Sequence, residues 1–161
     1  MRKAAFLDRD GVINIDTGYV SRIEDVEWTA GALDAIEKLK ALDYLVFVVT
    51  NQSGIARGYY SEEQFRRFTA AMFASSPVDA VLFCPHYPEI TGRCECRKPE
   101  PGMLLHAANI FSIDLAQSFF VGDQPTDLEA GSRALVTTWQ FQGGRLDQFI
   151  EDRLSTFRNT A

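Results

Sequence analysis

The stretch Phe6–Asn14 (FLDRDGVIN) joins a short apolar run, Lys3–Asp8, to a pair of acids and a glycine. A dense apolar run rich in strand-forming residues predicts a buried strand. Alternate residues of an extended segment point to one face, so the carboxylates of Asp8 and Asp10 can converge on one point. Gly11 permits a sharp turn after them. One carboxylate could attack while the other moves a proton, although this acidic pattern is also common on protein surfaces.

Further apolar runs of the same kind follow along the chain, and each predicts a strand. They are Tyr44–Thr50, Val78–Cys84, Ser118–Gly122 and Leu135–Phe141. Helical patterns lie between them, which predicts an α/β fold with a parallel sheet covered by helices on both faces. Ligands of such sheets bind beyond the carboxyl ends of the strands. The residues that follow each strand are therefore the candidates for a site.

Spacing and capping residues mark the helices. Apolar residues from Leu33 to Leu39 recur at helical spacing behind Thr29, which we expect to be the N-cap. Ser61 and Gln64 predict a capping box at the start of the next helix. Further helices are predicted over residues 102–111, 126–134 and 146–154.

Length and composition limit the classes of function. A chain of 161 residues with 46% apolar and 24% charged residues predicts one globular domain. Sixteen Lys and Arg against 22 Asp and Glu give a net charge of −6, which argues against binding nucleic acid or an anionic membrane. No apolar stretch approaches the ~20 residues of a membrane span, and nothing directs export. We therefore expect a cytoplasmic monomer.

Polar residues follow the second and fourth strands. Thr50, Asn51 and Gln52 open a glycine-containing turn whose donors suit an anionic oxygen, although an ordinary polar turn has the same composition. Asp123 ends the fourth strand, and Asp127 lies four residues on. Both acids could face the pocket of the first strand. Capping of the following helix is the alternative for Asp127.

Two segments break the alternation of strands and helices. Asn14–Trp28 is polar and irregular and predicts a flap over the edge of the sheet. Pro85–Pro101 holds most of the prolines and predicts a structured loop. Near its end Arg97 and Lys98 stand before prolines that fix the backbone, so these cations could be aimed at an anion. A solvated basic pair is the alternative.

The same loop contains a cluster of metal-binding residue types. Cys84, His86, Cys94 and Cys96 supply four ligands within thirteen residues, a set that fits tetrahedral Zn²⁺ with every position filled by protein. An odd, clustered set of three cysteines fits a disulfide framework badly. The cluster therefore predicts a structural zinc site, with buried thiols and an incidental histidine as the alternative.

The strand-end motifs together resemble a known superfamily. They are Asp8-x-Asp10-Gly11, Thr50, Lys98 and Gly122-Asp123-x-x-x-Asp127. This set is similar to the four signature motifs of haloacid dehalogenase (HAD) phosphohydrolases. The longer strings TNQSGIARG, CPH and CxCRKPxPGM resemble the branch that contains heptose-1,7-bisphosphate 7-phosphatases and histidinol-phosphate phosphatases, and INIDTGYV is more similar to the heptose enzymes.

The resemblance implies a single phosphatase domain over residues 1–161. It implies a Rossmann-like parallel sheet in the order 3-2-1-4-5 with helices on both faces. It also implies a zinc-stabilised loop and no large cap domain, so that the pocket is open to a small phosphorylated substrate.

The resemblance also implies roles for the motif residues. Asp8 would be the nucleophile that becomes an aspartyl-phosphate, and Asp10 the acid and base. Thr50 and Lys98 would hold the phosphoryl oxygens. Mg²⁺ would bind the Asp8 carboxylate, the Asp10 backbone carbonyl and Asp123, with Asp127 supporting it from behind or through a water. Asn51, Gln52, Arg57 and Arg97 complete the set expected to contact substrate.

One departure from the family pattern keeps several functions open. Gln124 stands where many relatives carry Lys or Arg, which removes a cation beside the site. A heptose-bisphosphate phosphatase is the leading interpretation. A histidinol-phosphate phosphatase, or another small-molecule phosphatase, is the alternative within the same chemistry. A non-catalytic, zinc-stabilised interaction module is the alternative from another class.

Overall fold

The computed structural model describes residues 1–157, which are built around one parallel sheet. Its strands are β1 (Ala4–Leu7), β2 (Leu45–Asn51), β3 (Ala80–Cys84), β4 (Phe119–Gly122) and β5 (Thr137–Gln140). They lie in the order β3-β2-β1-β4-β5. The predicted parallel sheet and its strand order are therefore confirmed, and β1 is the central strand.

Helices connect the strands. They are α1 (Ala32–Ala41), α2 (Ser53–Ala56), α3 (Glu62–Met72), α4 (Pro88–Thr91), α5 (Gly102–Phe111), α6 (Pro125–Arg133) and α7 (Leu146–Phe157). Single 3-10 turns occur at Ile23–Asp25 and Leu115–Gln117. In residues 1–157 these connections contain no second sheet.

Alternation along β1 divides the core between the two faces of the sheet. Ala5 and Leu7 point into the cluster formed with α1, α3 and α7, whereas Ala4 and Phe6 point into the cluster formed with α5 and α6. All four side chains are fully buried. Because both faces are covered, β1, β3 and β4 are apolar and β2 becomes polar only at Thr50, whereas the edge strand β5 (TTWQ) is partly exposed.

The register brings the carboxyl ends of the central strands to one level. Leu7 of β1 pairs with Val48 of β2 and with Val121 of β4. Asp8 therefore leaves the sheet level with Gly122 at the end of β4, while β2 continues beyond Val49 to Asn51. This edge is the one at which ligands of open parallel sheets bind.

The two irregular segments have defined structure at this edge. Asn14 and Trp28 form an antiparallel bridge that closes the flap between them. The loop after β3 contains the short helix α4. Within residues 1–157 no helix combines the length and apolar character that a bilayer crossing requires.

The start of α1 differs from the prediction. Thr29 was expected to be the N-cap, and this is wrong: the cap is Gly31, with a φ of +73° and no side-chain hydrogen bond. The Thr29 carbonyl instead accepts from the backbone N–H of Ala32. Leu33, expected on the buried face, is 44% exposed, whereas Ile36 and Leu39 are buried as predicted and Ala35 is buried beside them.

The capping box of α3 is confirmed. The Ser61 hydroxyl accepts from the Gln64 backbone N–H at 3.1 Å, and the Gln64 side chain accepts from the Ser61 backbone N–H at 2.7 Å. These bonds satisfy two of the backbone donors that a helix start leaves without partners. The helix then buries Phe65, Phe68 and Met72 against the sheet.

Ser61→Ala should lower the free energy of unfolding by about 1 kcal/mol, because α3 loses an N-cap acceptor. Urea denaturation followed by circular dichroism measures this. Ser61→Asp keeps an acceptor at the cap and should stay within a few tenths of a kcal/mol of the wild type. Equal stability of Ser61→Ala and the wild type would contradict the role of this cap.

Candidate active site

Asp8 is the first residue beyond the central strand, and its position is fixed by the sheet. Its backbone N–H donates to the Val121 carbonyl of β4 at 2.9 Å. The side chain is only 9% exposed. A carboxylate in this position has lost most of its water and needs a partner of opposite charge.

That partner is Lys98, which arrives from the loop after β3. Its Nζ lies 2.7 Å from Asp8 Oδ1 and 2.6 Å from Asp127 Oδ1. It also donates to the Val49 carbonyl of β2 at 3.0 Å. The ammonium group therefore joins the end of β1, strand β2 and the first turn of α6, and it is almost completely buried.

The electrostatics of this cluster favour a further cation. Burial raises the pKa of Asp8 to about 7, and the charge of Lys98 limits the rise. Burial opposes the charge of Lys98, but Asp8 and Asp127 outweigh it and raise the lysine pKa. Burial also raises the pKa of Asp123. Three acids around one lysine leave excess negative charge that a divalent ion would neutralise.

Asn51 holds the backbone of Lys98 in register with β2. Its Oδ1 accepts from the Lys98 N–H and its Nδ2 donates to the Lys98 carbonyl, each at 3.0 Å. Both ends of the amide are thus used to fix the lysine. Asn51 was predicted to contact substrate, and although it lines the cavity, its amide is engaged with the loop.

Gln52 joins Thr50 to Asp10. Tyr60 donates its hydroxyl to Gln52 Oε1 at 2.7 Å, which turns the amide nitrogen towards the site. That nitrogen donates to Thr50 Oγ1 at 2.8 Å and to Asp10 Oδ2 at 3.3 Å. Because Thr50 Oγ1 accepts this bond, its own hydrogen is left to donate to an anionic oxygen in the cavity.

Asp10 is held by an arginine buried beneath it. Both Nε and Nη2 of Arg9 donate to the Asp10 carboxylate, the shortest contact being 2.8 Å. Nη2 also donates to the Val20 carbonyl of the flap at 2.8 Å. Arg9 is 1% exposed and its guanidinium lies over the rings of Phe65 and Phe68. One buried cation therefore links the strand end, α3 and the flap.

The residues at the end of β4 fit a magnesium ion. Carboxylate oxygens of Asp8, Asp123 and Asp127 lie within 4.8 Å of one another. Asp123 Oδ1 is buried and has no hydrogen-bond partner among the described residues. Gly11 has a φ of +88°, and a Cβ there would lie 2.4 Å from Asp123 Oδ2. An unsatisfied acid oxygen in an all-oxygen donor set suits a hard cation.

Asp127 combines a capping role with an ion pair. Its Oδ2 accepts from the backbone N–H groups of Asp123 and Gln124 at 3.1 and 3.0 Å. Its Oδ1 faces Lys98. Asp127 therefore caps the start of α6, as the alternative predicted, and also belongs to the charged cluster. The Gln124 side chain donates to Asp123 Oδ2 at 2.6 Å, so this amide orients the acid without adding charge.

The cysteine loop forms a compact four-ligand cluster. The sulfur atoms of Cys84, Cys94 and Cys96 lie 3.0–3.6 Å apart, and His86 Nδ1 lies 3.5 Å from Cys84 and 3.3 Å from Cys96. Tetrahedral zinc with bonds of about 2.3 Å places its sulfur ligands about 3.8 Å apart. All three cysteines are free thiols. The cluster could hold one zinc ion.

The predicted residues do not all reach one cavity. A cavity of about 290 Å³ is lined by Asp8, Asp10, Thr50, Asn51, Gln52, Lys98 and Asp127, together with flap residues. Arg57 and Arg97 do not line it. Their guanidinium groups lie 3.9 and 6.0 Å from the ring centre of Tyr87, and Arg97 donates to the His86 carbonyl.

Comparison with known proteins supports this arrangement. A family model described as polynucleotide kinase 3 phosphatase matches residues 4–138. A D-glycero-beta-D-manno-heptose-1,7-bisphosphate 7-phosphatase from Pasteurella multocida is 48% identical over 84% of this chain and 79% of its own. The chain belongs to the family of these heptose-1,7-bisphosphate 7-phosphatases, within the HAD superfamily.

Further matches extend the similarity within the HAD superfamily. A heptose phosphatase of the same description from Rhodopseudomonas palustris is 41% identical over 99% of this chain and 94% of its own. The D,D-heptose 1,7-bisphosphate phosphatase from B. bronchiseptica, crystallised with magnesium and phosphate, has a TM-score of 0.78. It is 35% identical and covers 93% of this chain and 86% of its own.

Two members of the site in this HAD chain were not found from the sequence. Arg9 lies between the motif acids, and its charge could not be buried there without a partner of opposite charge. That placement is a signal for a buried partner of Asp10. No sequence pattern pointed to Tyr60, because its contact with Gln52 is set by the turn after α2.

Arg9→Met should lower the free energy of unfolding by about 3 kcal/mol, because it leaves Asp10 without its buried counter-charge. Urea denaturation measures the change. Arg22→Met makes the same substitution in the flap, where Arg22 pairs with Glu24 at an exposed position, and should change stability by at most about 0.5 kcal/mol. Similar effects of the two substitutions would rule out a special role for the Arg9 pair.

The four-ligand cluster should bind one zinc ion per chain. His86→Ala should lose most of this zinc, because a tetrahedral site with three ligands binds it more weakly. Elemental analysis of dialysed protein measures the stoichiometry. His106, the other histidine, is exposed and outside the cluster, so His106→Ala should retain one zinc ion. Zinc retained by His86→Ala would show that the cluster is not the site.

Proposed function

We propose that this chain is a magnesium-dependent phosphatase that hydrolyses a phosphomonoester through an aspartyl-phosphate on Asp8. Its substrate is D-glycero-β-D-manno-heptose 1,7-bisphosphate, and the 7-phosphate is the group removed. The observation that carries the proposal is the buried contact of Lys98 with Asp8 at the carboxyl edge of the sheet. This contact places a nucleophile and a cation for the phosphoryl group at one point.

The substrate follows from the relatives and from the character of the cavity. Relatives that carry this name are 41–48% identical over most of the chain. The cavity of about 290 Å³ is polar and open to solvent, which suits a small hydrophilic molecule. The net charge of −6 makes a polynucleotide an unsuitable substrate despite the description of the family model.

In the first step the Asp8 carboxylate attacks phosphorus. The bond from phosphorus to the sugar oxygen breaks, and Asp10 gives its proton to that oxygen. Thr50 and Lys98 donate hydrogen bonds to the equatorial oxygens of the transferring group. Charge stabilisation at these oxygens is the main source of rate in phosphoryl transfer.

In the second step a water molecule attacks phosphorus of the aspartyl-phosphate. Asp10, now ionised, takes a proton from this water, and the Asp8 carboxylate leaves. Free phosphate is released with Asp8 and Asp10 returned to their starting forms. Gln52 and Arg9 hold the Asp10 side chain at the cavity wall throughout.

The magnesium ion would be held by Asp8, Asp123 and the backbone carbonyl of Asp10, with Asp127 behind them. When bound, it offsets repulsion between an anionic nucleophile and an anionic substrate. We further propose that residues 1–161 are a single domain that acts as a cytoplasmic monomer, with no nucleic-acid or membrane partner. The proposed substrate is itself a small hydrophilic metabolite.

Asp8→Asn should lower kcat by at least about 10³-fold, because an amide is a poor nucleophile and the aspartyl-phosphate cannot form. Phosphate release with magnesium and heptose 1,7-bisphosphate measures this. Asp43→Asn is a matched control at an exposed residue with a φ of +63°, a conformation that asparagine tolerates, and should retain the wild-type rate. Full activity of Asp8→Asn would overturn the mechanism.

A panel of substrates tests specificity with the same assay. It contains heptose 1,7-bisphosphate, histidinol phosphate, glucose 6-phosphate and an oligonucleotide with a 3′-phosphate. We expect the highest kcat/KM for the heptose bisphosphate, with phosphorus NMR showing that the 1-phosphate remains. Preference for histidinol phosphate would replace the proposed substrate. No turnover of any member would favour the interaction module.

A further inference from the structure

Two exposed tyrosines meet at the mouth of the catalytic cavity. Tyr19 of the flap is 47% exposed and Tyr59 of the turn after α2 is 58% exposed. Their ring centres are 4.7 Å apart and the planes are nearly perpendicular, at 86°. This edge-to-face contact is a favourable arrangement for aromatic rings. It joins two loops from different parts of the chain.

Tyr19 is presented to the cavity by an unusual backbone. It has a φ of +50°, a left-handed conformation that bulky residues seldom adopt. Gly18 before it has a φ of +85°, and its N–H donates to Asp16 Oδ1 at 2.9 Å. Such conformations persist where the surrounding structure determines them, and they concentrate at functional sites.

The flap is fastened directly beside Tyr19. The next residue, Val20, is buried, and its carbonyl accepts from Arg9 Nη2 at 2.8 Å. The same nitrogen contacts Asp10 Oδ2 at 2.8 Å. One guanidinium group therefore sets the distance between the Tyr19 backbone and the residue that exchanges protons with the substrate.

The floor and the mouth of the cavity differ in chemical character. Its floor carries Asp8, Asp10, Thr50 and Lys98, all suited to a phosphoryl group. Of the two tyrosines that line it within residues 1–157, Tyr60 is 7% exposed and has its hydroxyl bonded to Gln52. Tyr19 is therefore the aromatic surface offered to whatever extends out of the floor.

We propose that Tyr19, braced edge-on by Tyr59, is a specificity-determining platform for the part of the substrate that does not react. The inference rests on the proposed phosphatase function. The ring would pack against the carbon–hydrogen face of a sugar whose phosphate lies on the cavity floor. Contact with a remote part of the substrate raises kcat/KM for substrates that have that part.

The test compares two substrates in the full-length, magnesium-loaded protein. Heptose 1,7-bisphosphate has a ring, and glycerol 2-phosphate has a phosphomonoester without one. The quantity measured is the ratio of the two kcat/KM values. Tyr19→Ala should lower this ratio about tenfold, whereas Tyr19→Phe, which keeps the ring, should hold it within about twofold of the wild type.

Two further variants test whether the effect is specific to the Tyr19 ring. Ile23→Ala truncates another exposed side chain of the flap that does not line the cavity, and it should leave the ratio unchanged. Tyr59→Ala removes the brace and should lower the ratio about threefold. If Tyr19→Ala fails to fold by circular dichroism, Tyr59→Ala and Tyr19→Leu decide the question by the same ratio.

The outcomes separate this inference from the proposed function. A wild type that hydrolyses neither substrate overturns the proposed function. A wild type that hydrolyses both, with the same ratio in Tyr19→Ala, overturns the platform. Equal losses on both substrates in Tyr19→Ala also overturn it, because they indicate a role in packing alone.

Discussion

The ammonium group of Lys98 between Asp8 and Asp127 is the interaction on which the site depends. Each of these three charges is buried, and any one of them alone would be costly to remove from water. Together they compensate one another and leave one net negative charge. The strand ends, the loop after β3 and the start of α6 must therefore come together at one point. A cation near Asp123 completes the balance.

The loop that delivers Lys98 is tied down on both sides. The Asn51 amide pairs with the Lys98 backbone through two hydrogen bonds. Just before Lys98, the cysteine cluster joins Cys94 and Cys96 to Cys84 at the end of β3. Lysine is a flexible side chain that loses considerable rotamer freedom when it is fixed. Fixing its backbone beforehand would reduce the ordering needed for Lys98 to hold a phosphoryl group in the proposed reaction. A metal ion held by the cysteine cluster would restrain the same segment of chain.

Much of this arrangement could be read from the sequence because it depends on local pattern. The strands are apolar runs, and the motif residues follow them directly, so topology alone brings Asp8, Thr50 and Asp127 to one edge. The buried position of Arg9, the Tyr60–Gln52 bond and the stacking of Arg57 on Tyr87 depend on how loops pack. The N-cap at Thr29 was wrong because the left-handed Gly31 starts the helix without a side-chain cap. Such choices are settled by tertiary contacts rather than by spacing.

The ladder between β2 and β3 has a consequence for metal uptake. Cys84 is the direct partner of Asn51, and its carbonyl accepts from the Gln52 N–H at 2.8 Å. A candidate zinc ligand is thus a direct backbone neighbour of two residues that line the candidate active site. Thermodynamic linkage is reciprocal. Any free energy that zinc contributes to anion binding would therefore appear, in equal amount, as tighter binding of zinc to the protein that has an anion bound. In a metal-poor cell, abundant substrate would then protect the protein's own zinc.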